Sequence, residues 1–438
     1  WGGKGQITRF KFDWDTQKLL PITNPENAEA SLRFLLETQT KSDQEMKSFL
    51  AKLSPHALLT GSNMGLPVLG NVKSDSTMDF MDTHAYWDHP QIWNIEGGWQ
   101  NVDRAPMNNN SQLLSPFQGS LLFNLSHAPV EGKPLIVTEW NDCAPNEYRI
   151  EGPILMAAYG SLQDWDGMLQ FDFGPALIGS EKMTNFAINS RPENMPLYIA
   201  GGLMFRLGYL KPAAVTVVEP LSDEAVLANG MKSDWLFGHP WLPYVAKVVK
   251  RFTGKKEEAP TDLAGLEKRN SPTESRVDSS TGEEALDYGK GILKIDSPKA
   301  QGLVGNIGNG QTLGTSGLWV EAAPRNPWAA VLVISLDAKP LDQSSRLLLV
   351  AQARAENSGQ VYNASRKALK DAGHIPILMQ GVQAVVSVVV DPKQKFKVTA
   401  LDETGAALKT LKTTLEHGGL KFTVSPGDHS PYYLIEAK

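Results

Sequence analysis

Residues 133–140 read KPLIVTEW, an apolar run that stops at a carboxylate. Pro134 can open a strand, and Leu135 to Thr138 are all apolar or β-branched. The run therefore predicts a short strand buried on both faces, as in a parallel sheet. Glu139 follows at once, then Trp140 and a polar turn cluster from Asn141 to Pro145. The carboxylate is thus placed at the C-terminal end of the strand, the end at which enzymes built on parallel barrels carry their chemistry.

On either side of this run the chain alternates between strand and helix patterns. Upstream, Glu26 to Leu53 repeats Leu32, Leu35, Leu36, Met46, Phe49, Leu50 and Leu53 at three- and four-residue spacings, which predicts one long amphipathic helix with Asn24 or Asn27 as its N-cap. Ala57 to Thr60 reads as a short strand ending in Gly61-Ser62-Asn63. MDFMDTHAYW, Met78 to Trp87, reads as a second strand that ends in His84, Tyr86 and Trp87 before His89-Pro90 turns the chain. A loop rich in Trp, Asn and Gly follows (Trp93, Trp99, Asn108 to Asn110), and Ser111 to Leu125 reads as the helix leading into the central strand. Downstream come an apolar helix over Glu151 to Trp165, a strand over Gly167 to Phe173 with Asp172 near its end, and a covering helix over Arg191 to Leu210. Strands near Ala57, Met78, Pro134 and Gly167 separated by helices predict an α/β fold with parallel strands and right-handed crossovers. Trp1 to Pro25 has no period and reads as a loop.

A β-branched strand at Ala213 to Glu219 is followed by a basic stretch, Lys247 to Lys256, which reads as the solvated end of a helix. A Lys/Glu/Pro/Ser/Thr-rich linker then runs from Lys255 to Glu284. From Ala285 onward short alternating strands recur, among them Leu318 to Ala322, Ala329 to Leu336, Arg346 to Ala353, Ala384 to Val390 and Phe396 to Leu401. That spacing predicts an all-β sandwich. The expected organisation is an α/β unit over 1–212, a strand and linker over 213–284, and the sandwich over 285–438.

Composition limits the partners. The chain has 438 residues, with 42 basic against 48 acidic side chains and no basic stripe beyond Lys247 to Lys256, which argues against nucleic acid. No apolar run is long enough for a membrane span. Cys143 is the only cysteine and excludes an internal disulfide or a multi-cysteine metal site. His84, His89 and Asp82 lack the spacing of a zinc motif, so neither metal nor other cofactor is expected. The compartment stays open, with a secreted or periplasmic setting preferred. The opening Trp1-Gly-Gly-Lys-Gly reads like the middle of a loop.

VTEW and DTHAYW, set in this βα rhythm, resemble the retaining glycoside hydrolases of clan A, in particular large bacterial ones in which the barrel is followed by β domains. The resemblance covers roughly Trp1 to Pro212. It implies a (β/α)8 barrel of which this chain holds only half, its four strands matching the fifth to eighth. It implies Glu139 as nucleophile, with His84 and Tyr86 facing the carboxylate and the sugar, Trp87 and Trp140 as stacking surfaces, and Asn63 and Asp172 on the rim. The family's acid/base is a Glu in an Asn-Glu pair at the end of the fourth strand, and that strand is missing here. The only such pair, Asn146-Glu147, falls in the loop after the Glu139 strand. The expected partner is a carbohydrate. The missing half is expected from a longer polypeptide, another chain or a symmetry-related copy, unless Trp1 to Pro25 covers the open sheet. Non-catalytic carbohydrate binding is the alternative.

Overall fold

The computed structural model of the chain describes residues 11–13, 18–20, 25–63, 68–117, 119–174, 181–230, 238–325, 327–416 and 418–438. The Lys133–Trp140 run becomes the middle of a three-stranded parallel sheet. Its strand, β4 (Leu135–Asp142), lies between β3 (Met81–Trp87) and β5 (Gly167–Gln170). Two short strands precede them, β1 (Lys11–Asp13) and β2 (Lys18–Leu20), which pair antiparallel where the sequence predicts a loop. The remainder of Trp1–Asn24, including the expected Asn24 cap, lies outside the described residues.

Helices fill the intervals. They are α1 (Pro25–Leu53), α2 (Leu69–Asp75), α3 (Leu121–Leu125), α4 (Gly152–Leu162) and α5 (Asn194–Arg206). Proline at the first position of α1 suits a helix start, since its fixed φ is already helical and its missing N–H has no partner there. The helix has the expected period, but only Leu32 of its apolar positions is buried, while Leu35, Met46, Phe49 and Leu53 face outward. In contrast, α4 is buried along its whole length, as its Ala/Ile/Leu/Met composition requires.

Several local expectations change. Ala57 to Thr60 is not a strand. Leu59 gives its N–H to the Asp79 carboxylate at 2.9 Å, and the Ser62 N–H and hydroxyl go to Asp75 at 3.0 and 2.7 Å, so side chains take donors that a ladder would need. The parallel sheet therefore has three strands where four are expected. The helix predicted over Ser111 to Leu125 is confined to α3, capped by the Ser120 hydroxyl, which accepts from the Phe123 N–H at 3.2 Å. Pro116 disfavours helical geometry in Ser115, which ends any earlier helix there. The basic stretch expected at a helix end is instead β7 (Lys247–Gly254), parallel to β6 (Thr216–Ser222), with Lys250 directly opposite Glu219 and both buried.

The C-terminal part consists mainly of two antiparallel sheets. A ten-stranded sheet runs from Asn270–Ser271 at one edge to Ala407–Thr410 at the other, and a five-stranded sheet is centred on Ala384–Val389. The larger sheet draws its first strands from inside the stretch expected to be linker. It buries both faces. Along Trp328–Ser335, Val331 and Val333 join a core shared with Val386, Val388 and Phe422 of the smaller sheet, while Leu332 and Ile334 join the core formed by β4, α4 and α5. Side chains alternate across a strand, so burial on two sides explains why this strand is apolar at consecutive positions. Trp328 Nε1 donates to Glu151 at 2.5 Å and the Tyr209 hydroxyl to the Ser335 carbonyl at 3.1 Å, tying the sheet to the helical layer. No described helix is long and apolar enough to cross a membrane.

Candidate active site

The site arises from an irregularity in β4. Thr83 pairs with Val137, but the next residue, His84, pairs with Glu139, leaving Thr138 as an extra residue. Such a bulge re-aims the side chains around it. Here Thr138 and Glu139, consecutive in sequence, both meet the face of β3 that carries Asp82, His84 and Tyr86 at every second position.

The polar contacts form a continuous chain. Thr138 Oγ1 lies 2.8 and 2.9 Å from the two Asp82 oxygens and 2.6 Å from His84 Nε2. An ionised carboxylate only accepts, so the threonine proton goes to Asp82 and its oxygen accepts from His84 Nε2–H. His84 Nδ1 then faces Glu139 Oε2 across 3.4 Å, an ion pair whenever the ring carries its second proton. The Tyr86 hydroxyl donates to the same Oε2 at 2.5 Å. Burial first, then the hydrogen bond and charge of Glu139, push the Tyr86 pKa well up, so the phenol keeps its proton and remains a donor. Glu139 itself is only partly buried, with a third of its side chain exposed.

Aromatic rings gather around the tyrosine that bonds Glu139. Tyr86 makes edge contacts with His89, Phe171 and Phe186 at centroid distances of 5.4, 6.3 and 5.8 Å. His89 stacks on Trp93 at 5.8 Å with the planes 8° apart and meets Trp99 edge-on at 5.9 Å. Asn141, two residues beyond Glu139, holds this wall to the sheet: its amide donates to the carbonyls of Phe171 and Phe186, and its oxygen accepts from Gln170 and from the fully buried Arg191 at 3.1 and 2.8 Å.

The other residues singled out from the sequence fall into different places. Trp140 does not join the aromatic group around Tyr86. It is 3% exposed and belongs to the main core, beside Gly152, where an added Cβ would come within 3.4 Å of the indole and 2.9 Å of Asp142. The bulge spends two consecutive residues on one face, so the next side chain falls on the other. Trp87 packs against the same core and gives its indole N–H to the Asn110 carbonyl at 2.8 Å. Asp172 is half-buried and its charge reaches Tyr86. Asn63 is exposed, with no bond to Glu139 or its neighbours. Glu147 of the Asn-Glu pair bonds Arg354, Arg366 and Asn109 at 2.6 to 2.9 Å, a link between the α/β part and the β-rich part.

Thr138, Asp82, His89 and Phe186 are site neighbours that sequence reasoning did not select. The alternation Asp82, His84, Tyr86 was a usable signal for Asp82, whereas Phe186 lies in a stretch with no period. Among the described residues no three metal-ligating side chains cluster. Compared with known proteins, the chain matches no family model, no curated protein and no solved structure.

Proposed function

We propose that this chain carries the nucleophile side of a retaining glycoside hydrolase of clan A type, acting on a β-linked glycoside or polysaccharide, with Glu139 as the nucleophile. One observation carries the reading. Glu139 lies in the C-terminal half of the middle parallel strand, which continues to Asp142, accepts a hydrogen bond from Tyr86 at 2.5 Å, and is partly exposed beside the aromatic rings grouped around Tyr86. A donor bound to a carboxylate favours its ionised form, which a nucleophile requires. In the first step a Glu139 oxygen attacks the anomeric carbon while the leaving oxygen takes a proton from a second carboxyl group. In the second, that group removes a proton from water, which cleaves the glycosyl ester and frees Glu139.

A retaining pair stands about 5 to 5.5 Å apart. No described glutamate ends a neighbouring parallel strand, so the acid/base belongs to strands beyond these three. In this reading the sheet is part of an eight-stranded barrel and the two antiparallel sheets form an accessory sandwich. Leu58 and Leu169, 72% and 54% exposed, and the half-buried Phe80 and Ile136 then belong to the face that further strands cover. A symmetry-related copy is the simplest source of those strands.

The test is trapping. The complete assembly, treated with a slow fluorinated β-glycoside, should become covalently labelled on Glu139, and Glu139→Gln should lower hydrolysis by orders of magnitude with little change in stability. Label on another residue, or undiminished turnover, overturns the assignment.

A further inference from the structure

We infer that His89, Trp93, Trp99, Phe171 and Phe186 form a binding platform for a chain of neutral hexopyranoses extending away from Glu139. This rests on the glycosidase reading and goes beyond it by naming a polymeric, uncharged ligand. Large rings normally bury themselves, yet Trp93, Trp99 and Phe171 are 48%, 59% and 38% exposed and lie in one connected group. The links run from Tyr86 to His89, from His89 to Trp93 and Trp99, from Trp99 to Phe186 at 6.1 Å and from Phe186 to Phe171 at 5.9 Å. A contiguous exposed apolar patch marks a binding surface. The C–H faces of pyranose rings match flat aromatic faces, and the inner end of this surface is the ring whose hydroxyl bonds Glu139.

The rim carries charges of both signs and no excess of positive ones. Lys182 pairs with Asp103 at 2.8 Å, the exposed Arg104 is matched in the neighbouring segments by exposed Glu96 and Glu181, and burial lowers the His89 pKa and keeps the stacked imidazole neutral. Asp88 is turned inward, accepting from the Asn108 and Asn109 N–H groups and from the Asn146 amide. A single exposed arginine set among three carboxylates, Glu96, Asp103 and Glu181, does not favour a uronate over a neutral sugar.

The platform is also braced, although its 3-10 segment Gly98–Arg104 has no buried residue of its own. The Met107 N–H donates to the Lys367 carbonyl at 2.8 Å, and the Asn109 amide to the Arg366 carbonyl at 3.0 Å. On the other arm, the buried Asn357 side chain accepts from the Met183 N–H at 2.7 Å and donates to the Met183 carbonyl at 3.1 Å, three residues before Phe186. The β-rich part thus holds both ends of the aromatic surface, which lowers the ordering cost of binding.

The experiment is affinity electrophoresis and calorimetry of the full chain with a soluble neutral β-glucan and, separately, with polygalacturonate. The glucan should bind and the polyuronate should bind at least tenfold more weakly. Trp99→Ala and Trp93→Ala, both at exposed positions, should each weaken glucan binding about tenfold, whereas Trp319→Ala, an exposed tryptophan of the smaller antiparallel sheet, should leave it unchanged. Equal binding by wild type and the double tryptophan variant overturns the platform, as does preference for the polyuronate. Concentration-dependent self-association that the double variant abolishes also overturns it, because the rings would then be a protein interface. Hydrolysis of a small aryl glycoside, too short to reach Trp93 or Trp99, tests Glu139 separately, so the two readings fail independently.

Discussion

Tyr86 donates its phenolic proton to Glu139 Oε2 at 2.5 Å across 53 residues of chain, and the two strands bring them together only because Thr138 is set aside as a bulge. The bond favours the ionised carboxylate. Tyr86→Phe removes it while keeping the ring in place among His89, Phe171 and Phe186. In the proposed hydrolase kcat/KM should fall about 100-fold. Undiminished kcat/KM in a stably folded Tyr86→Phe variant counts against this role for Tyr86.

Thr138 is expected to act through its neighbours. Thr138→Val keeps the shape but leaves Asp82 and His84 Nε2 without their shared hydroxyl, at 2.8 and 2.6 Å in the native chain. The loss of stability should be about 1 to 3 kcal/mol by urea denaturation, and NMR should show His84 no longer held as the Nε2–H tautomer. A variant with native stability and an unchanged His84 spectrum rejects the linkage.

Glu284 offers a test of burial by pH. Desolvation raises its pKa from 4.5 to about 7, against the opposing hydrogen bonds from Ser279 and Thr281. The folded state therefore holds a proton that the unfolded chain has lost. The sign follows: this contribution is complete below pH 4.5 and is lost as pH rises through about 7, a change on the order of 3 kcal/mol. Glu284→Gln cannot ionise, so its stability relative to wild type should grow between pH 4.5 and 7. An equal difference at both ends of that window contradicts the prediction.

The exposed side chains of Leu58 and Leu169, together with the outward apolar positions of α1, predict association. Light scattering of this chain should give a mass above that of the monomer, and Leu169→Glu should reduce it. A monomer at every concentration, equally soluble with either residue, removes the case for a second copy.

What the sequence determined by itself was local. The strand starting at Leu135 follows from an apolar, β-branched run opened by Pro134, but pairing with β3 carries it past Glu139 to Asp142, through residues whose polarity reads as a turn; Leu318–Ala322 and Phe396–Leu401 follow from alternation. The period of α1 was equally plain, and so was the spacing that puts His84 and Tyr86 on one face of β3. Only the tertiary structure decided the site's composition. A bulge is a mismatch between two pairing strands, so nothing in VTEW announces that Thr138 and Glu139 both meet the polar face of β3 while Trp140 turns into the core. Nor does local pattern reveal that Asp79 takes the Leu59 N–H and denies the sheet a fourth strand, or that Phe186 arrives from an aperiodic segment held by Asn141. Which face of a strand meets a cleft depends on its hydrogen-bonded neighbours, and those neighbours lie tens of residues away.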